Sequence, residues 1–555
     1  MKSTFIISDF NIEPLTRYLM NQQDEVLSVE TAPFGQVFQS LTSKEERVGG
    51  IVWTLPEKVV PTFSRAVEFA EVDVSRCLAE VAVFANAIHE FASYSQYVFV
   101  TSWVLPIDQR GYGILEWRSD IGLTNLLARM NLHLADLLSE ASNIYMLDAA
   151  RWLASAPQAQ SPKMWYATKV PYSNVVFQKA AADIIAAIRA LSGKSRKLII
   201  VDLDNTLWGG VVGETGWQGI RLGGHDFIGE AFSDFQSRLR ALSRRGIQLA
   251  IVSKNDEAVA LKAIDQHSEM VLRRSDFAGW RINWNDKAEN LASLVDELNL
   301  GLDSVVFIDD NVAERERIRS AFPQVLVPEW PIDPTAYSSA LHELDCFDSA
   351  ALSNEDRLRT EMYVAERGRR ETLKSVSSKV DWMQQLETKL TVCEIDQSNI
   401  SRVTQLFNKT NQLNLSTRRL TEKEIMDWSE KQSNQLLAVS VSDCYGDIGL
   451  VGVIGVEATS SQGEIVDFIL SCRAMGRQVE QAMMYLAVNE LVGLGATEVL
   501  ARYLPTERNR PTLDILRSVG LEEKEEQLFV FDCANPFVKP DVIEINYAAT
   551  KVDQT

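Results

Sequence analysis

The stretch KLIIVDLDNTLWGGVVGETG, residues 197–216, decides the fold. It begins with the apolar run Leu198 to Val201, which is mostly β-branched, as is typical of a fully buried strand in a parallel sheet. Asp202 and Asp204 follow at once with one residue between them, so an extended backbone directs both carboxylates to the same side. Carboxylates that close repel each other unless a cation lies between them, and Mg²⁺ prefers such oxygen ligands. Taken alone, the string fits an Asx turn with a helix N-cap equally well.

Further polar residues follow later apolar runs in a fixed order, and they favour the metal-site interpretation. They are Ser253 after Gln248 to Val252, then Lys287, then the pair Asp309 and Asp310 after Ser304 to Ile308. The order aspartate pair, serine, lysine, aspartate pair resembles the four-motif layout of the haloacid dehalogenase (HAD) superfamily of phosphatases and phosphotransferases. Any one of these residues fits a strand-end cap, but the whole ordered set does not fit a series of unrelated caps.

A longer set of strings resembles one branch of that superfamily. DLDNTLWGGVVGETG, FIDDN, TNQLNLSTRR and SCRAMGR look like the FkbH-like family of glyceryl transferase/phosphatases. The resemblance implies an α/β protein of three domains. These are a degenerate SGNH-hydrolase-like α/β domain (1–192), a HAD-like domain with a doubly wound parallel sheet (193–350), and a connector helix (Asn354 to Thr372) with a GNAT-like α+β domain (351–555). A chain of 555 residues has room for three or four domains of ~150 residues.

Within the HAD-like domain the resemblance implies a role for each motif residue. Asp202 is the expected nucleophile for the phosphoryl group, and Asp204 the expected general acid and then base. Ser253 would hold a phosphoryl oxygen, and Lys287 would neutralise the charge of phosphate and nucleophile. The expected Mg²⁺ ligands are Asp202, Asp204 through its backbone carbonyl, Asp309 and Asp310, of which Asp310 is slightly preferred over Asp309 as the direct ligand. The expected substrate contacts here are Thr206, which would also steady the turn, and Asn255.

The segment from Trp208 to Gly224 is rich in glycine, which predicts a flexible flap rather than a core element. Such a loop beside Asp202 would close over a substrate and exclude water. It is too short for a large cap domain, so we expect a pocket open enough for a substrate presented by a protein.

The N-terminal part, residues 1–192, alternates strand-like apolar runs with helical stretches, which predicts a parallel sheet. SGNH hydrolases, which this domain is expected to resemble, carry a nucleophilic serine in a GDS motif after the first strand. The residues at that place here are Ser8, Asp9 and Phe10, so a phenylalanine stands at the nucleophile position. We therefore expect a scaffolding or carrier-docking domain rather than a hydrolase.

In the C-terminal part, Arg473-x-x-Gly476 opens a predicted helix whose free N–H groups suit the phosphate of a pantetheine arm. The segment resembles the phosphate-binding loop of GNAT acyltransferases, except that Gln478 stands where those enzymes have glycine or alanine. Cys472 adjoins Arg473 before a helix start, which favours a reactive thiolate, although cysteine is more often a small buried apolar residue. Because FkbH-like enzymes are thought to form an enzyme thioester, Cys472 is the expected acyl carrier.

The stretch TNQLNLSTRRL, residues 410–420, is too polar for a core strand. Asn411 and Asn414 are expected to bind the glyceryl hydroxyls, and Arg418 and Arg419 to meet phosphate or an acidic carrier. A capped loop between two helices is an equally good interpretation of this stretch.

Composition limits the partners. The chain has 55 basic and 76 acidic residues, a net charge of −21 and a pI near 4.9, which argues against nucleic acid and anionic membranes as partners. No apolar run approaches the ~20 residues of a membrane span, and the first residues lack a signal-peptide core. The six cysteines form no CxxC pair, which argues against a zinc site or a disulfide framework and predicts a cytoplasmic protein.

The resemblance implies a specific reaction. The chain would transfer the glyceryl group of D-1,3-bisphosphoglycerate, with loss of phosphate and with Mg²⁺ as cofactor, to the phosphopantetheine thiol of an acyl carrier protein for polyketide-type biosynthesis. Two alternatives stay open: a HAD phosphatase acting on another small phospho-metabolite, and an inactive scaffold that binds a carrier protein. Loaded carrier, free phosphate alone, and binding without turnover would distinguish the three.

Overall fold

The computed structural model describes residues 3–21, 28–105, 109–156, 158–160, 162–298, 300–349, 378–410, 412–459, 461–506 and 509–548. The chain divides into two compact units, Met1–Ser192 and Gly193–Thr555. The predicted connector helix and the predicted boundary at 350/351 lie outside the described residues, so the division into three domains stays a prediction. Among the helices that the structure describes, none combines the length and the apolar character needed to cross a bilayer.

The first unit is built on a parallel sheet. Its strands are β1 (Thr4–Ser8), β2 (Val29–Thr31), β3 (Arg47–Trp53), β4 (Ser95–Thr101) and β5 (Ile144–Leu147). They pair in the order β2-β1-β3-β4-β5, and every pairing is parallel. The α-helices of this unit are Glu13–Met20, Val37–Leu41, Pro56–Val59, Pro61–Val67, Val74–Ala92, Leu123–Leu138, Ala149–Ala154, Pro162–Thr168 and Asn174–Leu191. The alternation of strands and helices predicted for this part is confirmed.

Phe10 is part of the core of this unit. Only 2 % of the residue is exposed, and its ring packs edge-on against Trp53 and Tyr172 at centroid distances of 5.6 and 5.8 Å. These rings lie with Ile6 in the apolar cluster on one face of the sheet. Ile7, the next residue of β1, lies in the apolar cluster on the other face, because successive residues of a strand point to opposite faces. The residue predicted to stand at the nucleophile position is therefore a packed aromatic ring in the core.

The second unit begins with a four-stranded parallel sheet. Its strands are β6 (Leu198–Val201), β7 (Gln248–Ser253), β8 (Phe277–Ile282) and β9 (Val305–Ile308), in the order β8-β7-β6-β9. All four residues of β6 are fully buried, and Ile199 and Ile200 belong to different apolar clusters, so helices cover both faces. The α-helices around this sheet are Val212–Thr215, Phe227–Arg244, Glu257–Gln266, Lys287–Glu297, Val312–Ala321 and Tyr337–His342. The doubly wound parallel sheet expected from the sequence is present.

Part of the loop from Trp208 to Gly224 is packed in the core, so the prediction that this loop is not a core element is wrong, while its closure over a substrate stays a prediction. Trp208 and Val212 are fully buried in the same apolar cluster as β6. The backbones of Gly209 and Arg221 exchange two hydrogen bonds, of 2.9 and 2.8 Å, which close the loop. The glycines permit the tight turns, but the apolar residues between them decide that the loop joins the core.

The rest of the second unit contains a mixed sheet. Its strands are β10 (Thr388–Glu394), β11 (Leu413–Asn414), β12 (Asn434–Asp443), β13 (Gly446–Thr459), β14 (Gln462–Leu470), β15 (Glu498–Arg502), β16 (Glu522–Glu525), β17 (Leu528–Asp532) and β18 (Ile543–Tyr547). The order is β16-β17-β15-β14-β13-β12-β10-β18, and β11 also pairs with β14. The α-helices here are Lys379–Gln385, Ile400–Lys409, Glu422–Ser429, Val479–Gly493 and Arg510–Ser518. Most pairings are antiparallel, whereas β14 pairs with β15, and β10 with β18, in parallel.

Candidate active site

The carboxyl ends of the four parallel strands of the second unit lie at one edge, and a polar motif residue is found at each. These residues are Asp202 after β6, Ser253 at the end of β7, Lys287 in the helix after β8, and Asp309 after β9. The strand register pairs Val201 with both Ile251 and Ile308, so the ends of β6 and its two neighbours are level. This is the edge at which open α/β sheets bind their ligands.

Three carboxylates meet at this edge. One oxygen from each of Asp202, Asp309 and Asp310 lies within 4.8 Å of the other two. Asp202 and Asp309 are 7 % and 0 % exposed. Within the part of the chain that the structure describes, Lys287 forms ion pairs with Asp202 and Asp309, and the Asp310 carboxylate forms none, so the three carboxylates outnumber the side-chain cation paired with them. A hard divalent cation with oxygen ligands fits this donor set, and Mg²⁺ is such a cation.

Lys287 bridges two of these carboxylates. Its Nζ donates a hydrogen bond of 2.6 Å to Asp309 Oδ2 and lies 3.1 Å from Asp202 Oδ1. Burial alone would lower the pKa of Lys287, but Asp202 and Asp309 raise it above the usual lysine value, so the side chain is charged. The lysine therefore brings a fixed positive charge to the carboxylate that the sequence predicts as nucleophile.

Burial governs the protonation of the carboxyl groups. It raises the pKa of Asp202 to about 6, an effect that Lys287 and a hydrogen bond from Ser253 oppose and that Asp309 reinforces. Burial also raises the pKa of Asp310. A bound cation would reverse these shifts, because it stabilises the ionised form of each ligand.

Asp204 points to a different set of partners. Its Oδ1 accepts hydrogen bonds from Trp208 Nε1 (2.8 Å) and the Val212 N–H (3.0 Å). Its Oδ2 accepts one from Asn255 Nδ2 (3.0 Å), and that amide nitrogen also lies 3.3 Å from Ser253 Oγ. The side chain of Asp204 is not in the three-carboxylate group, which agrees with a metal contact through its backbone carbonyl. Contact of Asn255 with substrate stays a prediction.

Thr206 orients Asp310, as expected of a residue that steadies the turn, and contact of its side chain with substrate stays a prediction. The residue is fully buried. Its hydroxyl donates to Asp310 Oδ1 and accepts from the Asp310 N–H, both at 3.2 Å. The threonine thus ties the turn after β6 to the turn after β9.

Three further side chains support the site, and no sequence motif predicts them. Trp208 binds Asp204, as described above. Arg315 is 3 % exposed, and its Nη1 donates to the backbone carbonyls of Asp309 and Asp310, at 2.8 Å each. Gln236 is fully buried and binds the carbonyl of Leu207. Gln236 and Arg315 lie on helices where a polar residue looks like a solvated one, so only their burial distinguishes them.

The candidate phosphate loop of the C-terminal part lies between β14 and the helix Val479–Gly493. Gly476 has a φ of 80°, and its N–H donates to the carboxylate of Glu480. Phosphate binding by Arg473 and Gly476 stays a prediction, and it requires Glu480 to release this N–H. Gln478 has a φ of 66°, a left-handed conformation that glycine adopts at lower cost. The backbone of Cys472 begins a 3₁₀ turn, but its side chain lies outside the described structure, so its role as acyl carrier stays a prediction.

Asn414 makes structural contacts with the backbone around it, and its role in binding glyceryl hydroxyls stays a prediction. It is fully buried in β11. Its Nδ2 donates to the Thr410 carbonyl at 3.1 Å, and its Oδ1 accepts from the Thr417 N–H at 2.9 Å. Asn411 lies outside the described residues, so its prediction is untested.

No family model and no curated protein matches the chain. The chain is similar to the crystal structure of the N-terminal part of the protein BF1531 from Bacteroides fragilis, which contains a phosphatase domain complexed with Mg. The two chains are 27 % identical, the match covers 63 % of this chain and 94 % of the other, and the TM-score is 0.58.

Smaller matches include acetyltransferases. The GNAT domain of S. lividans PAT is 14 % identical, with 25 % of this chain and 89 % of that chain covered and a TM-score of 0.21. The spermidine N-acetyltransferase from Vibrio cholerae in complex with CoA and spermine is 10 % identical, with 26 % and 96 % covered and a TM-score of 0.22. TM-scores this low carry no argument about this chain. The α/β fold class predicted from the sequence, with parallel sheets and more than one domain, is confirmed.

Proposed function

We propose that this protein catalyses Mg²⁺-dependent phosphoryl transfer through an aspartyl phosphate at Asp202. The observation that carries the proposal is the group of Asp202, Asp309 and Asp310, of which the first two pair with the buried Lys287. A buried excess of carboxylate costs stability unless a cation compensates it, so a purely structural role does not explain the group. The likeness to a chain that contains a phosphatase domain complexed with Mg supports this class of reaction.

Each side chain of the site has a step in this reaction. A carboxylate oxygen of Asp202 attacks phosphorus, and the bond from phosphorus to the leaving oxygen breaks as that oxygen takes a proton from Asp204. Water then attacks phosphorus, Asp204 takes the proton of the water, and the bond to Asp202 breaks with its electron pair returning to the carboxylate. Lys287 and Ser253 face Asp202, where they neutralise and hold the phosphoryl oxygens.

Asp202, Asp309 and Asp310 would hold Mg²⁺. When bound, the ion supplies positive charge for the phosphoryl oxygens beyond that of Lys287. Both oxygens of Asp309 are engaged, by Lys287 and by the Asn311 N–H. Asp310 is half-buried, and its Oδ2 makes no hydrogen bond within the part of the chain that the structure describes. This difference favours Asp310 over Asp309 as a direct ligand.

The proposal extends to the substrate that the resemblance to FkbH-like enzymes implies. The acyl phosphate of D-1,3-bisphosphoglycerate is an activated acyl donor, so a thiolate of the enzyme, with Cys472 as candidate, attacks its carbonyl carbon and expels phosphate without ATP. The thioester then passes to the phosphopantetheine thiol of an acyl carrier protein. The remaining phosphate is an alkyl ester, which requires the Asp202 site. A phosphatase for another phospho-metabolite and an inactive carrier-binding scaffold are the competing functions.

One incubation separates the three functions. The full chain is mixed with bisphosphoglycerate, Mg²⁺ and an acyl carrier protein, and the products are followed by intact-protein mass spectrometry and a phosphate assay. Carrier that gains a glyceryl thioester supports the full proposal. Phosphate release that leaves the carrier unloaded and exceeds the spontaneous rate supports the plain phosphatase. Carrier binding without either product contradicts the full proposal and favours the carrier-binding scaffold.

The variant Asp202→Asn tests the phosphoryl step directly. It removes the nucleophile with little change in size, so we expect phosphate release from a stable alkyl phosphate to fall by at least about 100-fold. Circular dichroism and the unfolding midpoint show whether the fold is retained. Full activity in a folded Asp202→Asn variant would remove the nucleophile assignment.

A further inference from the structure

Asp204 is held differently at its two oxygens. Oδ1 accepts two hydrogen bonds, from Trp208 Nε1 at 2.8 Å and from the Val212 N–H at 3.0 Å. Oδ2 accepts one, from Asn255 Nδ2 at 3.0 Å. An ionised carboxylate oxygen has two lone-pair sites, so Oδ1 is saturated and Oδ2 keeps one site open.

The donors on Oδ1 belong to a rigid part of the molecule. Trp208 is fully buried in the apolar cluster around β6, and its backbone forms a bridge with Asp204. Val212 is also fully buried. The Gly210 N–H donates to Asn205 Oδ1 at 2.9 Å, which fixes the turn between Asp204 and Trp208. Because the indole is packed on all sides, it holds Oδ1 at a defined position.

The geometry points to Trp208 as a positioning residue that anchors Oδ1 of Asp204 and leaves Oδ2 as the atom that transfers the proton. This inference rests on the proposed phosphoryl transfer. In the first half-reaction the proton on Oδ2 moves to the leaving oxygen as the phosphorus–oxygen bond breaks. In the second, Oδ2 takes the proton of the attacking water. Net, a phosphate ester and water give an alcohol and phosphate, and Asp204 regains its starting state.

If Trp208 positions Oδ2, its contribution to the rate of the first half-reaction depends on the leaving group. An alkoxide is a poor leaving group and needs the proton from Oδ2, whereas a nitrophenolate leaves without one. The value of kcat/KM reports only the steps up to formation of the aspartyl phosphate, so it isolates the acid role of Asp204 from its later base role. A loss confined to alkyl phosphates is therefore the signature of a misplaced Oδ2.

The experiment compares kcat/KM for p-nitrophenyl phosphate with that for an alkyl phosphate, either 3-phosphoglycerate or glycerol 3-phosphate. Trp208→Phe keeps an aromatic ring and removes the indole N–H. We expect the alkyl value to fall by about 10-fold or more, which corresponds to the loss of one hydrogen bond to a charged group. The aryl value should fall by no more than about 3-fold, within the loss expected from imperfect repacking. Asp204→Asn should show the same selectivity with a larger alkyl loss, of at least about 100-fold.

A matched control is Trp280→Phe, because the Trp280 indole donates to Glu257 at 2.7 Å rather than to Asp204. It should change neither value. The ratio of the two values does not depend on the fraction of folded enzyme, so partial misfolding of Trp208→Phe does not obscure the result.

Two results with Trp208→Phe would overturn the inference while leaving the proposed function intact. In the first, Trp208→Phe lowers both values equally, as general damage to the site would. In the second, it lowers neither. A wild-type enzyme that hydrolyses the aryl phosphate but neither alkyl phosphate has no acid step to position, which also overturns the inference. A wild-type enzyme that hydrolyses none of the three substrates contradicts the proposed function itself.

Discussion

At the scale of single residues, Lys287 is the side chain that neutralises part of the negative charge of the site. Its Nζ pairs with Asp309 at 2.6 Å and Asp202 at 3.1 Å, and all three residues are buried. A buried charge is tolerated only when it is paired, so these residues depend on one another. The third carboxylate, that of Asp310, takes a hydrogen bond from Thr206 but forms no ion pair with Lys287, so it is the residue that a metal ion would affect most.

The variant Asp310→Asn tests this view of the metal site. It removes one of three negative ligands and keeps the side-chain size. We expect the affinity for Mg²⁺, measured by isothermal titration calorimetry, to fall by about 10-fold or more. Loss of a group that coordinates a metal, or supports one of its ligands, typically lowers metal affinity by this factor. Glu316→Gln, an exposed change on the helix that follows, is the control and should leave the affinity unchanged. An Asp310→Asn variant with wild-type affinity would contradict the assignment.

Asp9 makes a pH-dependent contribution to the stability of the first unit. It is 8 % exposed, and the Leu55 N–H donates to both of its oxygens, at 3.1 and 3.0 Å. Burial raises its pKa from 3.8 to about 7. Between these pH values the folded protein holds a proton that the unfolded chain has lost, so stability falls as the pH rises through this window. Above this pH window the folded protein has lost all of the stability that the bound proton gave, on the order of 4 kcal/mol.

The variant Asp9→Asn removes this titration. The free energy of unfolding of the variant minus that of wild type should therefore be larger at about pH 8 than at about pH 5, by about 3 kcal/mol. The measurement is urea unfolding of the full chain, followed by hydrogen exchange in peptides that cover β1. The exposed change Glu13→Gln controls for the loss of a charge. An equal effect of Asp9→Asn at both pH values would contradict the burial argument.

At the scale of elements, the strands and the polar residues at their ends could be predicted from the sequence. The packed loop after Asp204 and the pairing of strands distant in sequence could not. A short apolar run that ends in polar residues is a local signal, so β6, β7 and β9 and the motif residues after them were found from the sequence. The packed loop after Asp204 was predicted wrongly because its glycines were given more weight than Trp208 and Val212. The pairing of β18 with β10 is parallel and distant in sequence, and no local pattern announces such a contact.

Gln236 stabilises that loop from the helix Phe227–Arg244. Its Nε2 donates to the Leu207 carbonyl at 2.8 Å, and its Oε1 accepts from the N–H groups of Val271 and Leu272 at 3.0 and 3.1 Å. Gln236→Leu leaves these buried backbone groups without a partner, so we expect a loss of about 3 kcal/mol.

Urea unfolding measures the loss caused by Gln236→Leu, and hydrogen exchange near Leu207 should become faster in the variant. The matched control is Arg238→Ala on the same helix. It removes an exposed ion pair with Asp234 and should cost less than about 1 kcal/mol. A Gln236→Leu variant as stable as this control would show that the buried hydrogen bonds do not hold the loop.

At the scale of the whole molecule, the residues of the candidate active site all belong to the second compact unit, Gly193–Thr555. The first unit has its own sheet and its own apolar clusters, and a buried phenylalanine, Phe10, stands where the sequence predicts the nucleophile position of an SGNH-like domain. The proposed phosphoryl chemistry therefore has no catalytic residue in the first unit.

A chain that begins at Gly193 tests this division of work. We expect its kcat/KM for a small alkyl phosphate to stay within a few-fold of the full chain, because the site is complete without the first unit. Loading of an acyl carrier protein should weaken if the first unit docks the carrier. Loss of both activities in a shortened chain that is folded by circular dichroism would contradict the division.

The central claim is that Asp202 accepts a phosphoryl group. The direct measurement is to mix the protein with Mg²⁺ and an alkyl phosphate, quench with acid, reduce with borohydride and map the peptides by mass spectrometry. Borohydride converts an aspartyl phosphate to homoserine, so the account predicts homoserine at position 202 in the substrate-treated sample only, and none in Asp202→Asn. Phosphate release with no reduction at Asp202, or with reduction at another carboxylate, would contradict it.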